Sequence, residues 1–358
     1  MSSVLIIATS HKTCGGITSV IKAHKKGKQW IRFHCKWLET HIDKGGIYKL
    51  YYFIKAFIQY LFILPFYDLV HIHISEPLSA FRKCIFMTYA KIWHKKTIIH
   101  FHAFSPDTTI NSKYRYLYQY LFYNADVVIV LSEKWKSYVN DTFSLGNKVK
   151  VIYNPCTAEI SGKKYYKKKQ ILYAGAVNAR KGYADMIQAF ALITKDCPDW
   201  KIVFAGNGEI DKGKNLAFQL GIDKQVVFLG WVDGMEKEKV FKESTIFCLP
   251  SYAEGFPMAI LDAWSYELPV ITTPVGGIPD IAIDGDNMLL FTPGNIRQLA
   301  EKMKNMIEDV KLRNDIVKES IKFSKTFFDI VDIDNKIGEI YKSCLLYTSD
   351  AADDLIGV

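Results

Sequence analysis

Short, continuous Val/Ile/Leu-rich runs alternate with stretches of helical length, and this rhythm is completed twice along the chain. In the first half the apolar runs are Val4–Ser10, Asp68–Ile74, Thr97–Ala103, Asp126–Ser132 and Val149–Asn154. In the second half they are Ile171–Val177, Lys201–Asn207, Gln225–Trp231, Thr245–Ser251 and Leu268–Pro274. Runs of this length suit strands of a parallel sheet covered on both faces. A helix fits between the runs, as in the stretch after Gly182, and strand–helix alternation implies βαβ units. The pattern predicts an α/β chain of two doubly wound, Rossmann-like domains facing each other across a cleft. The length of 358 residues agrees, being long for one core. Expected boundaries are 1–160 for the first domain, 161–169 for a charged linker without core residues, and 170–325 for the second domain. A helix over 326–343 is expected to return to the first domain, ahead of a tail at 344–358.

Composition narrows the classes. The nearest approach to a membrane span is Ala56–Tyr67, twelve residues interrupted by Pro65. The N-terminus lacks the basic and small-residue signals of a cleaved leader. Seven cysteines are scattered singly with no C-x-x-C pair, which fits a reducing cytoplasm and argues against zinc. Residues 1–160 carry 21 Lys and Arg against 9 Asp and Glu, a net of +12, whereas the remainder carries a net of −3. A basic first half points to an anionic surface or ligand, or else to a solvated face. Within it, residues 47–67 combine lysines with aromatic and aliphatic side chains. That helix either lies on an anionic bilayer or packs on the sheet. Cys344–Asp354 resembles the in-frame translation of a sequencing adapter, which would place the authentic end near Ser343.

The polar motifs fall at strand ends, where open α/β sheets bind ligands. After the first strand of the second half, Arg180 and Lys181 precede a helix beside Gly182. Two cations are disfavoured by a helix N-terminus, so a diphosphate explains them better than a solvated turn. Gly15-Gly16 and the G-x-G of Gly206 and Gly208 can bring backbone amides to a phosphate or sugar, though a turn explains each equally. His71, His73, His100 and His102 come in two pairs spaced by two, each pair on one strand face. No spacing supports a metal; His102, last in its strand, is the site candidate, and the others read as satisfied core residues. Asp284–Asp286 reads as a turn. Glu254 lies in the loop after Thr245–Ser251, and Asp262 follows eight residues later on a helix begun near Pro257. Asp262 is suited to paired ribose hydroxyls and Glu254 to sugar hydroxyls.

This ordered set resembles the retaining glycosyltransferases of family four, of GT-B fold, nearly to Ser343. The carriers are Glu254 to Asp262, matching an E-x7-E pattern, with Leu249–Ala263, Leu268–Ile281 and Val226–Val232 around it. Weaker carriers are Gly15-Gly16 and the stretches at residues 70–73, 100–104, 125–132 and 149–155. The resemblance implies transfer from a UDP- or GDP-sugar to a saccharide or lipid-linked acceptor, with retention and without a metal or other cofactor, in cell-surface polysaccharide assembly. It implies that Lys181 holds the donor diphosphate, with Arg180 beside it and Gly206 and Gly208 near the phosphates. Glu254 would contact the donor sugar, the amides of Gly255 and Phe256 would line it, and Asp262 would bind the ribose. Trp231 joins this donor set. Gly15, Gly16 and His102 would come from the acceptor-side domain, with His102 counted as catalytic beside Glu254 and Lys181. Two departures stand out: Asp262 replaces a second Glu, and Ala176 stands where many members carry Arg. These departures favour, as the alternative, a non-catalytic sugar-nucleotide-binding partner; an enzyme of other chemistry on the same architecture, such as an epimerase, is a third option.

Overall fold

The computed structural model describes residues 2–156 and 166–353; residues 161–165 of the expected linker and the tail from Asp354 lie outside the described residues. The chain divides into two compact units, Met1–Pro155 together with Asp329–Val358, and Cys156–Phe328.

The first unit holds strands β1 (Val4–Ala8), β2 (Lys36–Glu39), β3 (Leu69–Ile74), β4 (Lys96–Phe101), β5 (Val127–Val130) and β6 (Val149–Val151). Its helices are α1 (Gly16–His24), α2 (Lys28–Arg32), α3 (Gly46–Ile63), α4 (Pro77–Ile92), α5 (Arg115–Asn124), α6 (Glu133–Phe143) and, from the far end of the chain, α13 (Ile330–Asp353). The strands form one parallel sheet in the order β2-β1-β3-β4-β5-β6. β1 and β3 are buried along their whole length, as apolar runs in a doubly covered sheet must be. Alternate side chains feed two cores. Leu5, Ile7, Val70, Ile72 and Ile99 pack under α3, α4, α5 and α6 on one face. Ile6, Leu69, Ile98 and Ile129 pack under α1, α2 and α13 on the other. β2 is absent from the sequence expectation because the edge strand Lys-Trp-Leu-Glu mixes polarity and buries only Leu38 fully.

The second unit holds β7 (Gln170–Ala174), β8 (Lys201–Ala205), β9 (Val226–Gly230), β10 (Ile246–Leu249), β11 (Val270–Thr272) and β12 (Leu289–Leu290). Its helices are α7 (Tyr183–Ile193), α8 (Ile210–Gln219), α9 (Gly234–Glu243), α10 (Met258–Ser265), α11 (Ile296–Glu308) and α12 (Val310–Phe327). The parallel sheet runs β12-β11-β10-β7-β8-β9. Helices α7, α8 and α11 pack together, as do α10 and α12. Trp264 of α10 is fully buried against Phe323 and Phe328.

One expectation needs correction here. Helix α3 and the turn after it, Gly46–Phe66, form a helical stretch of 21 residues that is long and apolar enough to cross a membrane by length and composition. The twelve-residue estimate from apolar runs fell short because Lys49 and Lys55 break the run on its N-terminal side without lowering the mean hydropathy of the longer stretch enough. Nor is α3 simply a core helix: only Ala56 and Tyr60 within it are buried.

Candidate active site

In the second sheet β7 and β10 are neighbours, although β7 opens the unit and β10 is its fourth strand. The chain therefore leaves β7 toward one side and β10 toward the other, creating the switch point where doubly wound sheets bind ligands. Lys181 follows β7 and Glu254 follows β10. The structure brings them together: Lys181 Nζ lies 2.5 Å from Glu254 Oε1. The Ser251 hydroxyl donates to the same oxygen at 2.6 Å. Arg180 Nη1 is 4.0 Å from Glu254 Oε2 and donates to the Ala253 carbonyl at 2.6 Å. Glu254 is only 4% exposed, so its carboxylate is held by the cation and the hydroxyl that replace water.

Several backbone contacts fix this geometry. Asn178 caps the turn before α7 by accepting from the Lys181 amide at 3.1 Å. Tyr252 donates its amide to the Arg180 carbonyl at 2.8 Å, joining the two loops. Arg180 and Lys181 sit in a short 3-10 turn, Ala179–Lys181, ahead of α7 rather than in its first turn. The positive charge of this turn therefore comes from the two side chains more than from the α7 dipole. Gly276, at φ 59°, passes so close that a Cβ there would lie 1.7 Å from the Glu254 carbonyl oxygen. Gly277 then donates to the Gly255 carbonyl at 2.8 Å. This glycine pair, visible in the sequence only as a motif fragment, is what positions the Glu254 loop.

Asp262 lies on α10 and is 6% exposed. It pairs with Lys237 of α9, Nζ to Oδ2 at 2.6 Å. Lys237 went unnoticed in the sequence because α9 carries several lysines and only the packing selects one. Neither acid is water-facing, and each is matched to one lysine. Gly206 and Gly208 sit at the end of β8 against the β7 loop; a Cβ on Gly206 would fall 1.8 Å from the Gly175 carbonyl oxygen. Close loop packing thus requires a glycine at 206 in its own right. The side chain of Phe256 is buried on Phe328. Trp231 follows β9 and donates its amide to the Asn207 side chain at 2.9 Å. Asp284–Asp286 form a turn in which Asp284 accepts from the Leu290 amide at 2.7 Å.

In the first unit, Gly15 and Gly16 open α1, and a Cβ on either would meet nothing within 4 Å. His102 follows β4, and its Nε2 is 2.9 Å from His73 Nδ1. The four imidazoles form a stacked ladder: His71–His73 at 4.5 Å, His73–His100 at 4.8 Å and His100–His102 at 4.2 Å between centroids. Burial pushes His71 and His102 down to about 3, and His73 and His100 well below the usual range, so all four are neutral. His71 Nδ1 meets the Tyr341 hydroxyl at 2.6 Å. The expectation of satisfied core histidines fails for His100, whose two ring nitrogens are buried without a hydrogen-bond partner. Donor atoms of His71, His73 and His100 lie within 4.8 Å of one another. Stacked rings hold their lone pairs in side-by-side planes, so these three do not converge on one ion at the roughly 2.0–2.1 Å that zinc–imidazole bonds require.

A family model described as Glycosyltransferase Family 4 matches residues 22–159, and one described as Glycosyl transferases group 1 matches residues 158–323. The chain is similar to an uncharacterized glycosyltransferase of Methanocaldococcus jannaschii, 30% identical over 277 residues that cover 72% of this chain and 70% of the relative. It is also similar to the lipopolysaccharide 1,6-galactosyltransferase of Salmonella typhimurium, 28% identical over 259 residues, 69% of each chain. Among solved structures, HepE of Anabaena in complex with UDP-glucose shares the fold, with a TM-score of 0.79 at 19% identity, over 96% of this chain and 100% of that one. With its two parallel six-stranded sheets, the chain belongs to the group 1 and family 4 glycosyltransferases of GT-B fold.

Proposed function

We propose that the protein transfers a sugar from a nucleoside-diphosphate sugar, UDP- or GDP-linked, to a saccharide or lipid-linked saccharide, with retention, in cell-surface polysaccharide assembly at the cytoplasmic face of a membrane. The observation that carries this reading is the buried Lys181–Glu254 pair at the switch point of the second sheet. The lipopolysaccharide galactosyltransferase and the UDP-glucose complex among its relatives support the acceptor class and the donor.

Breaking the bond between the anomeric carbon and the diphosphate leaves negative charge on the departing phosphate. Lys181 and Arg180 stabilise that charge as it develops, and no metal enters the scheme. As the Lys181 ammonium turns to the diphosphate, Glu254 is freed to accept hydrogen bonds from the sugar. Ser251 keeps the carboxylate in place during this exchange. Asp262, steadied by Lys237, accepts from the ribose hydroxyls. Gly206 and Gly208 hold their loop near the phosphates, the amides of Gly255 and Phe256 line the sugar, and Trp231 borders the donor. Gly15, Gly16 and a neutral His102 remain the acceptor-side candidates within the first unit. Same-face attack follows the family resemblance, with the leaving phosphate assisting deprotonation of the acceptor.

The test combines a thermal-shift panel of UDP- and GDP-sugars with nucleotide release in the presence of saccharide acceptors. The anomeric configuration of the product is read by NMR. Lys181→Ala and Glu254→Ala should each lower turnover by about 100-fold or more. Undiminished turnover in both variants, or an inverted product, overturns the reading. The two departures, Asp262 in place of a second Glu and Ala176 in place of Arg, favour one alternative, a sugar-nucleotide-binding partner without turnover. It predicts a donor thermal shift with no release under any acceptor.

A further inference from the structure

We infer that the outer faces of α3, α4 and α5 form one docking surface for an anionic lipid bilayer. Helix α3 places Ile47, Leu50, Ile54, Ile58 and Phe62 at steps of three and four, on the side opposite the buried Ala56 and Tyr60. All five are exposed, Ile47 at 86%. Helix α4 repeats the arrangement with Leu78, Phe81, Ile85 and Ile92, opposite the buried Ala80, Phe86, Met87 and Ala90; Leu78 is 78% exposed. Helix α5 adds Tyr116, Tyr120 and Tyr123, opposite the buried Tyr118, Leu121 and Phe122. The three helices are neighbours on one face of the sheet. Tyr60 of α3 donates to the Phe86 carbonyl of α4 at 2.9 Å, and Thr88 of α4 meets Tyr120 of α5 at 2.8 Å. An exposed apolar side chain alone is ordinary, but three adjacent stripes in register with their helical periods are not.

The charge around the stripes names the occupant. From Asp43 to Pro106 there are eight Lys and Arg, of which Lys83 is buried, against three acids, Asp43, Asp68 and Glu76; Asp43 meets His41 Nε2 at 3.2 Å. The other two acids are also engaged within the unit: Asp68 accepts from the Ser3 amide at 2.8 Å and Glu76 from the Thr108 hydroxyl at 2.6 Å. Lys44, Lys49 and Lys55 stay exposed on or beside α3, with Lys113 at the start of α5. Apolar stripes with tyrosines and a rim richer in lysine than in acids match an interface whose headgroups are negative and whose interior is hydrocarbon. Tyr60 and Ala56 anchor α3 in the core, so the helix lies along the interface rather than through it. The surface supplies a meeting place for the proposed lipid-linked acceptor and rests on that reading in this respect alone.

Sedimentation with vesicles tests the surface without using the reaction. The full chain should bind vesicles containing about a third phosphatidylglycerol at least about tenfold more tightly than pure phosphatidylcholine. Ile58→Glu with Phe81→Glu changes exposed positions only, and should reduce that binding about tenfold while melting normally. Lys49→Glu with Lys55→Glu leaves the stripes intact and should remove the preference for anionic vesicles. The thermal shift with UDP- and GDP-sugars should be equal in all three proteins. Absence of binding by the unaltered chain, or full binding by both variants, overturns the inference. A lipid-free dimer broken by Ile58→Glu with Phe81→Glu also overturns it, by assigning the face to a second copy. Vesicle binding without any donor shift would sink the proposed reaction and leave the surface standing.

Discussion

Gly16 separates structural from chemical roles at the level of a single residue. It is the first residue of α1, and a Cβ would enter open space. Alanine there should hold or raise stability, by up to about 1 kcal/mol, because glycine is a poor helix residue. If its backbone approaches a substrate, Gly16→Ala should instead lower transfer about tenfold with an unchanged or raised melting temperature. Thermal melts and turnover on the same preparation distinguish the two outcomes, and unchanged turnover removes Gly16 from the site. Gly206 offers no such separation, since its Cβ would strike the Gly175 carbonyl whatever the ligand. Sequence alone gave both glycines the same reading, because a glycine's reason lies in what stands opposite it. Glu254, Asp262 and Lys181 stood out as candidates from spacing and chemistry. That Lys181 pairs with Glu254 was not legible, since the pair joins loops 73 residues apart in the chain.

At the scale of elements, the β10–α10 loop depends on the loop after β11. Gly276→Ala combines a left-handed backbone with a Cβ 1.7 Å from the Glu254 carbonyl oxygen. The expected cost is about 2–4 kcal/mol in urea unfolding, with donor binding weakened more than stability implies. A loss below about 1 kcal/mol would mean that the Glu254 loop is held by other contacts. Strands were the most legible elements: β1, β3, β4 and β10 announce themselves as apolar runs because both faces of each sheet are covered. The edge strand β2 did not, as half-covered strands lack that signature. For α3, the sequence is apolar nearly all round, so periodicity could not say which side meets the core; the ring contacts of Phe57 and Tyr60 with Phe86 decide it.

Across the whole molecule the histidines are segregated: all nine lie between His11 and His102, within the first unit. Six of them, His24, His41, His71, His73, His100 and His102, are held below the usual imidazole range chiefly by burial. Below pH 6.5 the unfolded chain takes up protons that the folded unit refuses. Stability is therefore complete above that pH and falls as the pH drops through 6.5 toward about 3, by up to about 1.4 kcal/mol per pH unit for each such group. Hydrogen exchange, corrected for intrinsic rates, should show β3 and β4 losing protection between pH 7 and pH 5 while β7 and β10 keep theirs. Equal loss in both units would count against the ladder as the acid-sensitive part. The first unit has another peculiarity, since α13 completes one of its two layers through Ile333, Ile337 and Tyr341. During synthesis, the ribosome must deliver the entire second unit before that layer can close. Until then α1 and α2 alone cover that side of β3, and the His71 ring goes without the Tyr341 hydroxyl.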